Sequence, residues 1–213
     1  MAELLIATSN RAKLDEYRLL LDGCGLAAVS LRDVGITEEA PEDADSFVAN
    51  ARAKARFYFD RARLPTLADD GGLEVDALNG APGVHSHRWL GVANPDDRAL
   101  AEEVVRRMSG VPAPRRIARL RSVAVLLYQL GGALQEAIAD AALEGVIADR
   151  CFPEIRPGFP YRSVLYLPAM GKYLAEVGER EAAQLSHRHA LVEQLRPHLA
   201  RLAGAGRPVK AAP

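Results

Sequence analysis

The spacing of apolar residues predicts amphipathic helices in four segments of the chain. Apolar positions three or four residues apart share one helix face, so each stripe marks a face that packs against the rest of the protein. The stripes, in chain order, are Leu14, Tyr17, Leu20 and Leu21; Phe47, Ala51, Ala55 and Tyr58; Leu100, Val104 and Met108; and Leu191, Leu195, Leu199 and Leu202. We expect the second helix to run from about Ser46 to Arg63 and the third from Pro95 to Met108.

Short apolar or alternating stretches predict the strands between these helices. They are Glu3 to Thr8, about Leu26 to Leu31, Thr66 to Ala68, Leu73 to Ala77, Ile117 to Leu130 and Ala133 to Ala148. Gly131-Gly132, between the two long strands, is typical of a hairpin turn. Such a hairpin could form an outlying lobe, around residues 115–150, of a single domain over residues 1–203. Residues 204–213 begin Gly-Ala-Gly-Arg-Pro and predict a flexible tail.

The stretch LADDGGLEVDALNGAPG, from Leu67 to Gly83, combines two adjacent acids with two glycine-rich segments. A short apolar run ends on Asp69 and Asp70, and carboxylates at the end of a strand are expected to face a cleft. Gly71-Gly72 are predicted to turn the backbone sharply, because glycine has no Cβ to clash. A second turn, Asn79 to Gly83, closes the stretch. The alternative is that the two acids only cap a turn, since Asp beside Gly is a common turn composition.

A polar turn, Ser9-Asn10-Arg11-Ala12-Lys13, lies between the first strand and the first helix. The N-terminus of a helix carries unpaired N–H groups and the positive end of the helix dipole, so this turn is suited to a phosphate group. Asn10 and Lys13 would add side-chain donors. The alternative is that Ser9 or Asn10 is only an N-cap.

An acidic run, Glu38 to Asp45, leads into the second helix, where Asn50 and Lys54 share a face at i,i+4 spacing. Acidic runs are usually solvated loops, and lysines on helix surfaces are common. Together with the adjacent acids of the central stretch, however, Glu42 and Lys54 complete the groups that magnesium-assisted phosphoanhydride hydrolysis needs. Magnesium takes one or two carboxylates plus phosphate oxygens, another carboxylate activates water, and a lysine neutralises developing charge.

Net charge, apolar runs and cysteine content limit which partners and which cellular compartment we expect for the protein. The net charge of -1 over 213 residues gives no global attraction to nucleic acid or to a membrane surface, so neither is expected as a partner. No apolar run approaches the ~20 residues that span a bilayer, and we expect no signal peptide. Cys24 and Cys151 lack CxxC spacing and form no disulfide framework, which favours a reducing cytoplasm.

Three groups of residues resemble the inosine/xanthosine triphosphate pyrophosphatase family. They are Ala7-Thr8-Ser9-Asn10 with Lys13, Phe47 to Ala51 with Lys54-Ala55, and above all LADDGGLEVDALNGAPGVHSHRWLG. That family cleaves deaminated purine nucleoside triphosphates to the monophosphate and pyrophosphate. The likeness covers roughly Leu4 to Leu199. It implies an α/β fold with an elongated mixed β-sheet flanked by helices and two lobes with a central cleft, and it implies a homodimer.

The resemblance also implies roles for individual residues. Asp70, Asp69 and Lys54 would be catalytic, and Glu42 and Asp70 would hold Mg²⁺. The implied substrate contacts are Thr8, Ser9, Asn10, Lys13, Gly71, Phe159, Tyr161, Arg162, Lys172, His187 and Arg188. The turn from Thr8 to Lys13 would hold the triphosphate, whereas Phe159, His187 and Arg188 would hold the base.

Two of these assignments have plain alternatives. An aromatic residue in the loop Arg156 to Ser163 could stack on a base, which is worth about 1–3 kcal/mol; alternatively, Phe159 anchors an irregular loop in the core. His187 and Arg188 open the last helix, where the helix dipole disfavours positive charge, and this suggests a role beyond helix stability. The alternative is two solvated polar residues. Ser186 before them is a natural N-cap.

Several positions depart from the family, mostly in substrate recognition. The acid of the family's Gly-Phe-Gly-Tyr-Asp motif is Arg162 here. Gly71 replaces a serine that would contact substrate, Ala182 replaces a lysine, and Ala49 replaces a glutamate. We therefore expect retained chemistry with altered specificity. Arg162 or Arg180 could replace the lost lysine as a phosphate partner, since guanidinium groups bind phosphate well.

These residues predict a magnesium-dependent nucleoside triphosphate pyrophosphatase that acts on deaminated purines such as ITP, dITP and XTP. Asp70 would activate the attacking water. Arg162 motivates an alternative with the same hydrolytic core, a Maf-like pyrophosphatase acting on pyrimidine or modified nucleotides. The changes at Gly71 and Ala182 motivate another alternative, a diverged nucleotide-binding protein without turnover.

Overall fold

The computed structural model describes residues 1–92, 95–178, 181 and 185–205. The α-helices in these ranges are α1 (Arg11–Leu20), α2 (Phe47–Ala62), α3 (Asp97–Arg107) and α4 (His187–Ala205). The strands are β1 (Ala2–Ile6), β2 (Leu26–Ser30), β3 (Thr66–Val75), β4 (Ile117–Leu130), β5 (Ala133–Ile147), β6 (Leu165–Leu167) and β7 (Lys172–Tyr173). None of the helices described here is both long and apolar enough to cross a membrane.

The strands of the described ranges form a seven-stranded sheet in the order β2-β1-β3-β4-β5-β6-β7. β1 pairs in parallel with β2 and β3, whereas β6 pairs antiparallel with β5 and β7. The sheet is therefore mixed, which confirms the predicted α/β class. The long hairpin is also confirmed, because Gly131 and Gly132 between β4 and β5 adopt φ values of 59° and 82°, as a two-residue type I′ turn requires.

The chain divides into two compact units, each made of separate segments. Unit 1 consists of Met1–Asp69, Val123–Ala139 and Ala190–Pro213, and unit 2 of Asp70–Ser122 and Asp140–His189. The domain limits predicted from the sequence stay a prediction. Helix α4 continues through Gly204 to Ala205, two residues into the predicted tail, and the rest of that tail lies outside the described residues.

Each unit buries the helix stripe that the sequence predicts for it. In unit 1, Ala51 and Ala55 of α2 are fully buried against β1, β3 and β4. In unit 2, Leu100 and Val104 of α3 pack against β3, β4, β5 and β6. The bounds of α2 also follow the prediction, because the Ser46 hydroxyl accepts from the N–H of the third helical residue and the last turn ends on a left-handed residue.

Gly71 and Gly72 do not turn the chain, so the predicted turn at this pair is wrong. Both lie inside β3, and neither has a positive φ. A Cβ on Gly71 would lie 2.0 Å from Ser122 Oγ and 2.4 Å from Arg121 O, and a Cβ on Gly72 would lie 2.0 Å from Ser86 Oγ. The glycines therefore permit neighbouring segments to approach the strand closely.

The end of β3 differs from the prediction as well. The strand stops at Val75, and Ala77 lies in a turn of 3-10 helix, Asp76–Leu78, rather than in a strand. The predicted second turn is confirmed just beyond it, where Asn79 and Gly80 have φ values of 53° and 83°. The sequence thus predicts the turn at Asn79 and Gly80 correctly, whereas it does not predict where strand β3 ends.

Candidate functional site

The first group of candidate residues lies in unit 1 around Asp69. Lys13 Nζ lies 3.3 Å from Asp69 Oδ1, and the exposed fractions of the two side chains are 10% and 1%. Lys54 Nζ donates to the backbone oxygen of Asp69 at 3.2 Å and also pairs with the carboxylate of Glu42. Because the Lys13–Asp69 pair is buried, its attraction is screened by solvent much less than that of a surface pair. Two lysines and two acids predicted from separate motifs therefore meet.

The loop that carries Glu42 is tied to helix α2. Asn50 Oδ1 accepts from the N–H of Ala44 at 2.9 Å, and its Nδ2 donates to the same residue's oxygen at 3.3 Å. The Tyr58 hydroxyl donates to the carbonyl of Glu38 at 3.2 Å. The spacing predicts Tyr58 only as part of the apolar stripe, because periodicity carries no information about where a hydroxyl points. These three hydrogen bonds fix an otherwise irregular acidic loop.

The polar turn before α1 is stabilised by its own side chains. Asn10 Oδ1 accepts from the N–H groups of Ala12 and Lys13 at 2.9 and 3.2 Å, so Asn10 is the N-cap of α1; that capping is its only role is not tested. Thr8 Oγ1 accepts from the N–H of Asn10 at 3.2 Å, and Ser9 is exposed. A phosphate contact by this turn stays a prediction, and Lys13 is directed to the carboxylate of Asp69.

Asp69 and Asp70 lie within strand β3, not at its end and not in a turn. The alternative that they only cap a turn is therefore wrong, and so is their predicted place at a strand end. Both residues are buried, with exposed fractions of 2% and 8%. Successive strand residues project to opposite faces, so the two carboxylates leave the backbone in different directions. Asp69 ends the first segment of unit 1, and Asp70 begins unit 2.

The second group of candidate residues lies in unit 2 around the ring of Phe159. The guanidinium carbon of Arg162 lies 4.3 Å from the ring centroid, and those of Arg156 and Arg188 lie 5.4 and 5.7 Å away. Phe159, Arg162, His187 and Arg188 are all buried. The alternative that His187 and Arg188 are solvated is therefore wrong. The stacking of Phe159 on a base stays a prediction.

Tyr161 fastens the Phe159 loop to the turn after β3. Its hydroxyl donates to the carbonyl of Ser86 at 2.5 Å. Burial raises the pKa of the Tyr161 phenol well above its usual value, so the hydroxyl remains a neutral donor. Ser86 Oγ in turn accepts from the N–H of Leu73 at 3.0 Å and donates to Gly83 O at 2.6 Å. Ser86 was not predicted from the sequence, although it lies inside the motif stretch and, together with Gly83, crowds Gly72.

The remaining candidate residues are not part of the contacts described around Asp69 and Phe159. Lys172 lies exposed on β7, and no hydrogen bond or ion pair to its ammonium is found among the residues that the structure describes. Gly71 is crowded on the side where a side chain would project, so a substrate contact there would involve its backbone. Ala182 and Arg180 lie outside the described residues, and Ala49 is part of α2. In the described part of the chain, no three His, Cys, Asp or Glu side chains form a group that could hold a metal ion.

Comparison with known proteins places this arrangement in a family. The profile of the Ham1 family matches residues 4–198. The dITP/XTP pyrophosphatase of Geobacillus kaustophilus is 37% identical over 195 residues, which cover 92% of this chain and 93% of that protein. The dITP/XTP pyrophosphatase of Mycolicibacterium paratuberculosis is 40% identical over 210 residues, which cover 96% of this chain and 99% of that protein.

Solved structures give the same result. A HAM1 protein from Coxiella burnetii aligns with a TM-score of 0.80 at 30% identity, over 94% of this chain and 100% of that one. The sequence profile and the fold therefore agree with the resemblance carried by the motifs. The chain belongs to the Ham1 family.

Proposed function

We propose that this protein is a magnesium-dependent nucleoside triphosphate pyrophosphatase that hydrolyses deaminated purine nucleotides to the monophosphate and pyrophosphate. The observation that carries the proposal is the set of contacts that joins the buried residues Lys13, Asp69 and Lys54 to the partly exposed Glu42, with Asp70 next along the strand. The names of the related enzymes, dITP/XTP pyrophosphatases, support deaminated purine nucleotides as the substrate class. We expect a cytoplasmic homodimer, as the family resemblance implies.

The donor set fits Mg²⁺. Magnesium in phosphate chemistry takes one or two protein carboxylates and completes its shell with water and phosphate oxygens. Asp70 and Glu42 offer such oxygens, whereas the described residues hold no larger ligand group of the kind that builds an all-protein cage. When bound, Mg²⁺ would neutralise charge on the triphosphate.

The protein's own groups supply the rest of the chemistry. Asp70 accepts the proton of the attacking water as a general base, and Asp69 contributes to the electrostatic field at the strand. Lys13 and Lys54 each carry three N–H donors, so an ammonium that binds a carboxylate can still bind a phosphate oxygen. The turn from Thr8 to Lys13 binds phosphate at the N-terminus of α1.

The base is recognised by residues of unit 2. Phe159 provides an aromatic surface, and the buried side chains of Arg162, His187 and Arg188 provide N–H donors for its oxygens. Tyr161 keeps the loop in place through the carbonyl of Ser86. Adenine carries an amino group where deaminated purines carry an oxygen, so donors in these positions disfavour ATP.

The test is a substrate panel with Mg²⁺, in which ITP, XTP, dITP, ATP, dUTP and modified pyrimidine triphosphates are scored for monophosphate and pyrophosphate. We expect kcat/KM for the deaminated purines to exceed that for ATP by about 100-fold or more. Asp70→Asn should lower kcat by about 100- to 10,000-fold, whereas Asp22→Asn, at an exposed acid, should have no effect. A pyrimidine preference would favour the Maf-like alternative, and binding without any turnover would favour the nucleotide-binding alternative.

A further inference from the structure

Two buried guanidinium groups share one aromatic ring in unit 2. Arg162 and Arg188 have exposed fractions of 6% and 5%, and their guanidinium carbons lie 4.3 and 5.7 Å from the centroid of Phe159. Arg162 is the nearer of the two groups, at a distance typical of a cation–π contact. Arg162 lies in the turn of 3-10 helix Pro160–Ser163. The hydroxyl of Tyr161, in the same turn, donates a hydrogen bond to the carbonyl oxygen of Ser86 and so holds the turn in place. The guanidinium is therefore fixed by packing before any ligand binds.

An arginine held against an aromatic ring presents a defined pattern of hydrogen-bond donors. Its guanidinium is planar and rigid, so its N–H groups lie in one plane and point outwards. It has five donors and no acceptor. A base beside such a group is favoured where it carries an oxygen and disfavoured where it carries an amino group.

Deaminated purines differ in the number of oxygens that they offer. Hypoxanthine has one exocyclic oxygen, at C6, whereas xanthine has two, at C2 and C6. If one buried arginine binds the oxygen at C6, a base that carries another oxygen offers the second arginine a hydrogen-bond acceptor that hypoxanthine lacks. Xanthine is also the more acidic ring, and its anion is stabilised by guanidinium groups.

We propose that Arg162 is a base-specificity residue, which acts together with Arg188 to make xanthine nucleotides preferred over hypoxanthine nucleotides. Arg188 binds the oxygen at C6, and Arg162 binds the oxygen at C2. This inference rests on the proposed function, because it requires the base to lie beside Phe159. An arginine at this position distinguishes a 2,6-dioxopurine from a 6-oxopurine by one additional pair of hydrogen bonds.

The experiment is calorimetric binding of the product monophosphates, XMP and IMP, to the full chain, with no turnover involved. We expect the wild-type protein to bind XMP at least about fivefold more tightly than IMP, the lower limit for one bidentate arginine contact. In Arg162→Gln the ratio of the two dissociation constants should fall to about one. Arg115→Gln, which changes an exposed arginine of the same unit, should keep the wild-type ratio.

Because Arg162 is buried, Arg162→Lys serves as a second variant that keeps the positive charge but lacks the planar fork. It should also lose the preference for XMP. The ratio within one preparation does not depend on the fraction of folded protein, so a general loss of structure cannot produce the expected result. Equal affinities in the wild type, or a wild-type ratio in either variant, would overturn the inference. Absence of turnover with XTP and ITP would instead count against the proposed function.

Discussion

Asp69 keeps its carboxylate almost entirely out of water, paired with Lys13. Removing one partner of a buried ion pair leaves the other charge in a low-dielectric environment without an opposite charge beside it. We expect Lys13→Met to lower the free energy of unfolding by about 3 kcal/mol, measured by urea denaturation. It should lower turnover as well if the ammonium also binds phosphate.

A double variant separates the ion pair from simple loss of packing. In Lys13→Met/Asp69→Asn both charges are removed, so much of the stability lost in Lys13→Met should return. Turnover should not return with it, because the proposed electrostatic role of Asp69 is lost. Strict additivity of the two single changes in unfolding free energy would show that the pair is not coupled.

The sequence predicts which residues carry this chemistry but not how they pair. Lys54, Glu42 and Asp70 follow from residue type and motif, whereas the Lys13–Asp69 contact joins positions 56 residues apart. Nothing in local spacing predicts such a long-range pair, because the pattern along the chain contains no distances across the sheet. The N-cap role of Asn10 is local and was accessible from the sequence for that reason.

Strand β3 depends on glycine for close packing against its neighbours rather than for a turn. A Cβ on Gly71 would lie 2.0 Å from Ser122 Oγ and 2.4 Å from the carbonyl oxygen of Arg121. Overpacking of this kind costs about 1–3 kcal/mol. We expect Gly71→Ala to lower the free energy of unfolding by this amount, measured by thermal or urea denaturation.

Matched variants show whether the effect comes from crowding. Gly178→Ala places its Cβ where no described atom beyond the chain neighbours lies within 4 Å, so it should be close to neutral. Adding Ser122→Ala to Gly71→Ala should restore little, because the backbone oxygen of Arg121 remains in the way. Equal unfolding midpoints for Gly71→Ala and Gly178→Ala would contradict the crowding argument.

Among the secondary-structure elements, the helices are predicted from the sequence more accurately than strand β3. The stripes of α2 and α4 fix their faces because a helix satisfies its backbone hydrogen bonds internally, so its pattern is local. A strand is completed by its neighbours. The pair Gly71-Gly72 therefore has two possible explanations, a turn or a close approach, and only the positions of Ser122 and Ser86 decide between them.

For the molecule as a whole, we expect the proposed Mg²⁺ to serve the reaction rather than to stabilise the fold. The described residues contain no group of three potential ligands of the kind that structural metal sites use. We expect a chelator to abolish turnover and added Mg²⁺ to restore it. The unfolding midpoint should change by less than about 2 °C, because a weakly bound ion stabilises little. A large loss of thermal stability on chelation would contradict this separation.

The segmented make-up of the two units has a consequence for biosynthesis. Unit 1 draws on the beginning, the middle and the end of the chain, and its last segment starts only at Ala190. A ribosome releases the polypeptide from the N-terminus onwards, so unit 1 lacks its last segment, which holds most of α4, until unit 2 has been synthesised. Unit 2, whose segments end at His189, is synthesised earlier. We expect a released chain that ends at residue 189 to expose the apolar surface that α4 covers, and thus to depend on chaperones.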